Sequence, residues 1–301
     1  MIRLRGRVIA ASATAAAAAL ILAGCGSGGG DTSAAQPSGN VPQPKKDAKL
    51  AALVPPAVAK DGTITIGTDA TYAPGEFLAS DGKTVVGLDV DLFDAVAAKL
   101  GLKTKWTPAP FDNIIPGVQS NKYEAGVSSF TINDDRKKVV NMVQYMNAGI
   151  QWFTKKGNPQ KVDPENACGK NIAVQRGTIE VPDLSKRSKD CTKAGKPAIT
   201  VHQYQGQDQA TAAVVSGKED ASSADSPVAA YAVKQTNGQV QLLGGIYEAA
   251  PYGFVVNKDD SKLADALSQA TKSIMTDGTY KKILDKWKAG SGSVDAAPVN
   301  P

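Results

Sequence analysis

The chain has 301 residues, 42% of them apolar and 21% charged, enough apolar material for one large or two medium globular cores and too much for a disordered chain. Its formal charge is +5, but Arg3, Arg5 and Arg7 lie at the extreme N-terminus; without residues 1–24 the charge falls by three to +2, which gives no ground for a nucleic-acid partner.

Those arginines precede "VIAASATAAAAALIL", an Ala-rich apolar run too weak and short to span a membrane, so residues 1–24 read as an export signal. The following "LAGC", Leu22 to Cys25, resembles the lipobox of bacterial lipoproteins, which implies cleavage before Cys25 and a lipid anchor on its thiol. Each methylene of such an anchor buried in a membrane contributes roughly 0.8 kcal/mol. The alternative is ordinary cleavage nearby with Cys25 incidental. Residues 25–60, rich in Gly, Ser, Pro and Ala without apolar periodicity, read as a flexible tether.

Structure is expected to begin at "GTITIGTDATYAP", where Ile64 and Ile66 alternate as a strand and loop residues follow at its carboxyl end. A helix follows, with Asp89 as its expected cap, Val90, Phe93, Val96, Ala97 and Leu100 on one face, and Gly101 past its end. Strand "KTKWTPA", a helix around "FDNIIPGVQSNKY", strand "EAGVSSF" and a helix opening near Asn133 continue the alternation. The pattern restarts after "NAGIQWFTKKGN" with strands "KNIAVQRG", "AITVHQY" and "EDASSAD", each followed by a helix, and ends with strand "YGFVVNK" and two amphipathic helices. Such alternation predicts two α/β lobes with mostly parallel sheets and a cleft between them. The tail, 291–301, reads as a disordered linker.

Cys168 and Cys191 form an even pair in an exported chain and are expected to be disulfide-bonded, closing a loop of about two dozen residues worth roughly 3 kcal/mol. A zinc site would need clustered ligand spacings that this sequence, with His202 as its single histidine, does not offer.

The candidate ligand groups lie where strands give way to helices. In "SSFTINDDRKKVV", Asn133 can cap a helix, Asp134 and Asp135 suit its first turn, and Arg136 is either a solvated charge beside Asp135 or a fork of donors for a carboxylate. Gly177 and Thr178 open a helix after a strand, either as a plain turn capped by Thr178 or as an anion site. Asp225, before Pro227, is either a helix cap or a partner for an ammonium. Tyr72 and Phe111 follow strands and either pack into the core or cover a ligand. Asp69 either caps its own loop or meets a ligand side chain.

Together "GTDATYAPGEFLASDGKTVVGLDVDLFDAVAAKLGLK", "FDNIIPGVQSNKYEAGVSSFTINDDRKKVV", "VQRGT", "SGKEDASSADSPVAAY" and "DGTYKKILDKW" resemble the family 3 extracellular solute-binding proteins, the capturing components of polar amino acid ABC importers. The resemblance runs in order from about Gly62 to Trp287. It implies a two-lobed, Venus-flytrap α/β fold of type II with mixed, mostly parallel sheets: lobe 1 from 61–150 plus 252–290, lobe 2 from 151–251, hinged near 149–153 and 250–254. It further implies that Arg136, with Ser129, Thr131 and Thr178, takes an amino acid α-carboxylate. Asp225 would take the α-ammonium, Tyr72 and Phe111 would flank the side chain, and Asp69 would contact a polar or cationic one. Gly75 stands where the family carries an aromatic residue, leaving pocket size open.

The resemblance implies a monomer on the extracytoplasmic face of the membrane, delivering its ligand to ABC permease subunits, with no catalytic residue, metal or cofactor. Two other readings share the fold: a sensor module of a signalling system, and an exported enzyme such as a dehydratase, against which no nucleophile and base recur together in the sequence.

Overall fold

The computed structural model describes residues 41–301. The export signal, LAGC with Cys25, and residues 25–40 of the expected tether lie outside the described residues. The tether does not extend to residue 60. Asp47 caps a one-turn helix, α1 (Ala48–Ala51), accepting from Lys49 N at 2.8 Å and Leu50 N at 3.2 Å, and a second turn, α2 (Pro56–Ala59), follows. Val54 and Val58 are buried in the same apolar cluster as Ile64 and Phe93. Linker-like composition is overridden here by the apolar surface the segment meets.

Strand β1 (Thr63–Thr68) fully buries Ile64 and Ile66. A small antiparallel sheet of β2 (Thr71–Tyr72), β3 (Glu76–Leu78) and β4 (Val85–Val86) leads into α3 (Leu88–Leu100), which ends at Gly101 in the left-handed region at φ 71°. The cap of α3 is Gly87 rather than Asp89. Asp89 lies in the first turn, fully buried, and accepts from the Ser129 N–H and from the hydroxyls of Ser129 and Tyr145.

Next come β5 (Lys103–Pro108), α4 (Phe111–Gln119), β6 (Ala125–Gly126), α5 (Asp134–Val139) and the long β7 (Val140–Lys155). The alternation resumes with β8 (Asn171–Gln175), α6 (Glu180–Lys193), β9 (Thr200–Tyr204), α7 (Gln207–Ser216), β10 (Ala221–Asp225) and α8 (Ser226–Gln235). The long β11 (Val240–Asn257), α9 (Ser261–Thr276) and α10 (Thr279–Trp287) follow.

The strands form one sheet in the order β5-β1-β6-β11-β7-β10-β8-β9. Pairing within β5-β1-β6 and within β10-β8-β9 is parallel, while β7 and β11 run antiparallel to each other and to their outer neighbours. At 16 and 18 residues, β7 and β11 are longer than the segments read from sequence. Along β11 the burial changes from mostly exposed to almost wholly buried, so no single period marks the strand. Each long strand serves both halves: β11 pairs with β6 through Val255 and Val256, and β7 pairs with β10 through Ile150 to Thr154. Between Leu243 and Ala250 the β7–β11 ladder is irregular, opposite Ala148 to Trp152. This is the two-lobed, mixed-sheet architecture of type II binding proteins.

The halves have separate cores. In the first, Tyr145 stacks on Phe254 at 4.2 Å with 6° between ring planes, and Phe93 meets Phe254 edge-on at 5.0 Å. In the second, Trp152, Ile172 and Leu184 pack together on one side, and Phe153, Val214 and Val228 on another.

The tail is docked rather than linker-like. Ala297 is fully buried, Val299 bridges Val143, and Asn300 exchanges backbone and side-chain hydrogen bonds with Met142 and Asn141. A fixed polar partner for Asn300, supplied by β7, is invisible in a sequence window of small and polar residues.

Cys168 and Cys191 are bonded, 23 residues apart in sequence, tying the segment before β8 to the last part of α6. Changing both to serine is expected to lower unfolding stability by about 3 kcal/mol through the freed loop. Urea denaturation measures the change, and an unshifted midpoint would remove that role from the crosslink.

Candidate functional site

Each candidate side chain follows the carboxyl end of a strand, the edge where open α/β sheets present ligand groups. Asp69 and Tyr72 follow β1, Phe111 opens α4 after β5, and Ser129, Thr131 and Arg136 follow β6. From the other lobe, Thr178 follows β8, and Asp225 ends β10. Seven of these eight line one small cavity of about 10 Å³ between the lobes: Tyr72, Phe111, Ser129, Thr131, Arg136, Thr178 and Asp225. Ile179 and Glu180 complete its wall.

Asn133 caps α5 by accepting from Arg136 N at 2.9 Å, which sets Arg136 in the first turn, facing the cleft. Asp134 and Asp135 pair instead with Lys137 at 3.2 Å and Lys138 at 2.7 Å. Arg136 is therefore not the partner of Asp135. Its Nη1 donates to Thr131 O at 2.8 Å and its Nη2 to Gly177 O at 3.2 Å, across the cleft. The guanidinium lies 5.4 Å from each of the Phe111 and Phe130 rings, which stack at 4.6 Å. Burial pushes the Arg136 pKa below its ordinary value, opposed by the charges of Asp225 and Glu180.

Asp225 occupies the cap position of α8 without making a side-chain cap bond. Its Oδ2 accepts from the Tyr72 hydroxyl at 2.8 Å, so the carboxylate is turned into the cavity. Burial, and then the nearby Glu180, raise its pKa well above the ordinary carboxylate range.

Thr178 does not cap α6. Its hydroxyl donates to Gln175 O at 2.9 Å, and Ile179 holds the cap position. Ser129 adopts φ 48°, unusual for a residue with a Cβ, and is held there by two hydrogen bonds to Asp89 Oδ2 at 2.9 and 3.1 Å. Gly75 does not line the cavity. A Cβ there would lie 2.8 Å from Ser129 Oγ, so the glycine admits the serine loop and leaves the pocket no wider.

Asp69 differs from its expected role. It is 3% exposed and stands behind the cavity wall, its Oδ1 accepting from Thr71 N and Oγ1 at 3.1 and 2.6 Å. Its Oδ2 takes Phe111 N and, from the other lobe, Gln175 Nε2, both at 2.9 Å. With four donors in place it braces the loop, as the self-capping alternative anticipated, and reaches across the cleft as well.

Glu180 is the residue that sequence reasoning missed. It is fully buried, it lines the cavity, and neither carboxylate oxygen has a hydrogen-bond partner among the described residues. Burial raises its pKa. An acid in the first turn of a helix reads as an ordinary dipole partner. The signal available was its position directly after the GT turn, between Ile179 and Val181. His202 lies elsewhere, its Nδ1 2.7 Å from Glu219, and lines no part of the cavity.

The chain resembles known proteins over this whole architecture. It is 36% identical over 261 residues to the arginine-binding protein ArgT of Corynebacterium glutamicum, covering 86% of this chain and 84% of that protein. An ancestral arginine-binding protein, solved with glutamine and with arginine, superposes at a TM-score of 0.70 and 36% identity, covering 76% and 75% of this chain and 98% of each structure. An ancestral amino acid-binding protein, AncCDT-1, described as a precursor of cyclohexadienyl dehydratase, superposes at 0.66 with 34% identity, covering 77% of this chain and 97% of that one. A sequence profile of the bacterial extracellular solute-binding proteins, family 3, matches residues 64–290, and the chain belongs to that family.

Proposed function

We propose that the protein captures an amino acid outside the cytoplasm and presents it to the membrane subunits of an ABC importer. The observation that carries this reading is the meeting of Arg136 from one lobe and Asp225 from the other on the wall of one small cavity, with no ion pair between them. A buried carboxyl group and a half-buried guanidinium left apart are each costly to hold without a charged partner. A zwitterion relieves both at once: Arg136, with Thr131, Thr178 and the Ser129 loop, takes the α-carboxylate, and Asp225 takes the α-ammonium. Tyr72 and Phe111 flank the rest of the ligand. Because the charges come from residues 61–150 and 151–251, the ligand stabilises the closed state of a hinge through the irregular β7–β11 crossing.

The relatives named above are binding proteins, one for arginine and one solved with both arginine and glutamine, which supports capture over catalysis. AncCDT-1 is itself described as an amino acid-binding protein, which agrees with that reading. The LAGC motif supports tethering to the outer face of the membrane by lipid on Cys25, with residues 1–24 removed.

Arg136→Ala is expected to weaken amino acid binding at least about 100-fold, the loss that accompanies an unpaired buried charge, while the ligand-free melting temperature stays close to wild type. Calorimetry on the folded variant decides the matter, since retained affinity would sink the zwitterion assignment. Cys25→Ser, expressed with its signal, is expected to move the protein from the membrane fraction to the soluble one. Membrane retention of that variant would exclude the lipid anchor.

A further inference from the structure

Behind the wall that carries Ser129 and Thr131 lies a pair of acids, Glu76 from β3 and Asp89 from the first turn of α3, both fully buried. Their backbones meet, since Asp89 N donates to Gly75 O at 3.0 Å, and their side chains hydrogen-bond each other. A hydrogen bond between two carboxyl groups requires a proton on one of them, because an ionised carboxylate only accepts. Among the described residues neither acid forms an ion pair that would offset two adjacent negative charges. Two carboxyl groups sharing one desolvated site keep a proton between them.

The donors around the pair favour Glu76 as its holder. Asp89 Oδ2 accepts three hydrogen bonds, from the Ser129 N–H and from the hydroxyls of Ser129 and Tyr145. Glu76 Oε1 accepts one, from the Ser128 hydroxyl at 2.8 Å. The remaining oxygens, Glu76 Oε2 and Asp89 Oδ1, receive no donor from any other described residue. Three donors stabilise an ionised Asp89, while Glu76 with one is the better acid to leave neutral. We infer that Glu76 is a proton-bearing positioning residue, whose carboxylic acid donates to Asp89 so that the pair holds the Ser128–Thr131 loop with a single negative charge.

The consequence for binding rests on the zwitterion reading above, in which this loop helps to receive the α-carboxylate. A second carboxylate directly behind the loop would repel that anion, and the proton on Glu76 removes it. The other titratable groups facing the pair are Asp69 and Tyr145. Asp69 is joined to it through Ser128, whose hydroxyl accepts from Asp69 N at 3.0 Å, and has four donors of its own. Burial holds the Tyr145 pKa well above its ordinary value, so its hydroxyl stays a donor. Burial, and then the charge of Asp89, raise the Glu76 pKa well above the carboxylate range. The proton is therefore kept through neutral pH and lost only as pH rises through that raised value.

The test is carbon-13 NMR of the mature protein labelled at the glutamate side-chain carboxyl, across pH 5 to 8, with Glu76→Gln identifying the Glu76 resonance by its loss. Glu76 is expected to show the shift of a protonated acid throughout, without titrating. Calorimetry with arginine and glutamine as probes accompanies it. Glu76→Gln, whose amide keeps a donor for Asp89 and an acceptor for Ser128, is expected to melt near wild type and to bind within about threefold of it. Glu76→Ala, which removes both, is expected to lose at least about tenfold. An ionised Glu76 at pH 7 overturns the assignment, as does a Glu76→Gln variant that fails to fold or binds as weakly as Glu76→Ala. Wild-type affinity in a folded Glu76→Ala overturns the positioning role. A wild type that binds neither probe overturns the zwitterion reading instead, and the Glu76 resonance still decides where the proton lies.

Discussion

The guanidinium of Arg136 donates to a carbonyl from each lobe, Thr131 O and Gly177 O, and to no carboxylate among the described residues. Carbonyl dipoles and the faces of Phe111 and Phe130 orient the cation without neutralising it. Across the cavity, Asp225 receives one hydroxyl hydrogen bond, from Tyr72, where an ionised carboxylate accepts several. The protein thus keeps a half-buried cation and a buried acid apart. That separation explains why the other site residues are placed as they are: they position each group without pairing the two.

The placement depends on acids behind the wall. Ser128 donates to Glu76 at 2.8 Å, and Ser129 and Tyr145 donate to Asp89. Glu76 and Asp89 are fully buried, and burial raises the pKa of both. Their bonds hold the loop from Ser128 to Thr131 in its left-handed turn at Ser129, whose following residues carry Arg136. Gly75 and Gly87 make room for this brace, since a Cβ on Gly87 would lie 1.9 Å from Gly75 O. Among the described residues few direct polar contacts span the cleft: Tyr72 to Asp225, Gln175 to Asp69, Gln207 N to Thr71 Oγ1, Arg136 to Gly177 O, and the Arg176–Asp112 ion pair at 3.7 Å. So sparse a seam suits lobes that open and close.

The sequence showed where strands give way to helices, because alternation of short apolar strands with amphipathic helices is a local signal. The cavity follows from that, since Tyr72, Phe111, Ser129, Thr131, Arg136, Thr178 and Asp225 all sit just beyond strand ends. Side-chain direction was not legible. Asp69 and Glu180 are both acids beside a loop, yet tertiary packing gives Asp69 three donors from its own lobe and Gln175 Nε2 from the other, and leaves Glu180 without one among the described residues. The docked segments 41–60 and 291–301 were hidden for a related reason. Val54, Val58 and Ala297 are single apolar residues in polar or Pro-rich stretches, and a residue that buries alone leaves no period.

The same unpaired acids tie ligand charge to lobe closure. In the closed, empty cleft, Glu180 and Asp225 have pKa values raised by burial. A raised pKa means the closed form holds protons more tightly than an open or unfolded chain does. Its contribution is therefore most favourable below the ordinary carboxylate pKa and is lost as pH rises through the raised value. Near neutral pH, closing without ligand requires either a proton on these acids or an ionised group left without donors. On the zwitterion reading, a ligand α-ammonium at Asp225 removes that requirement there by taking the proton's place. Opening the lobes returns both acids to water, where they ionise freely and need no ligand. On that reading, the desolvated carboxylate that opposes closure without ligand is the same one that favours closure around a ligand's ammonium.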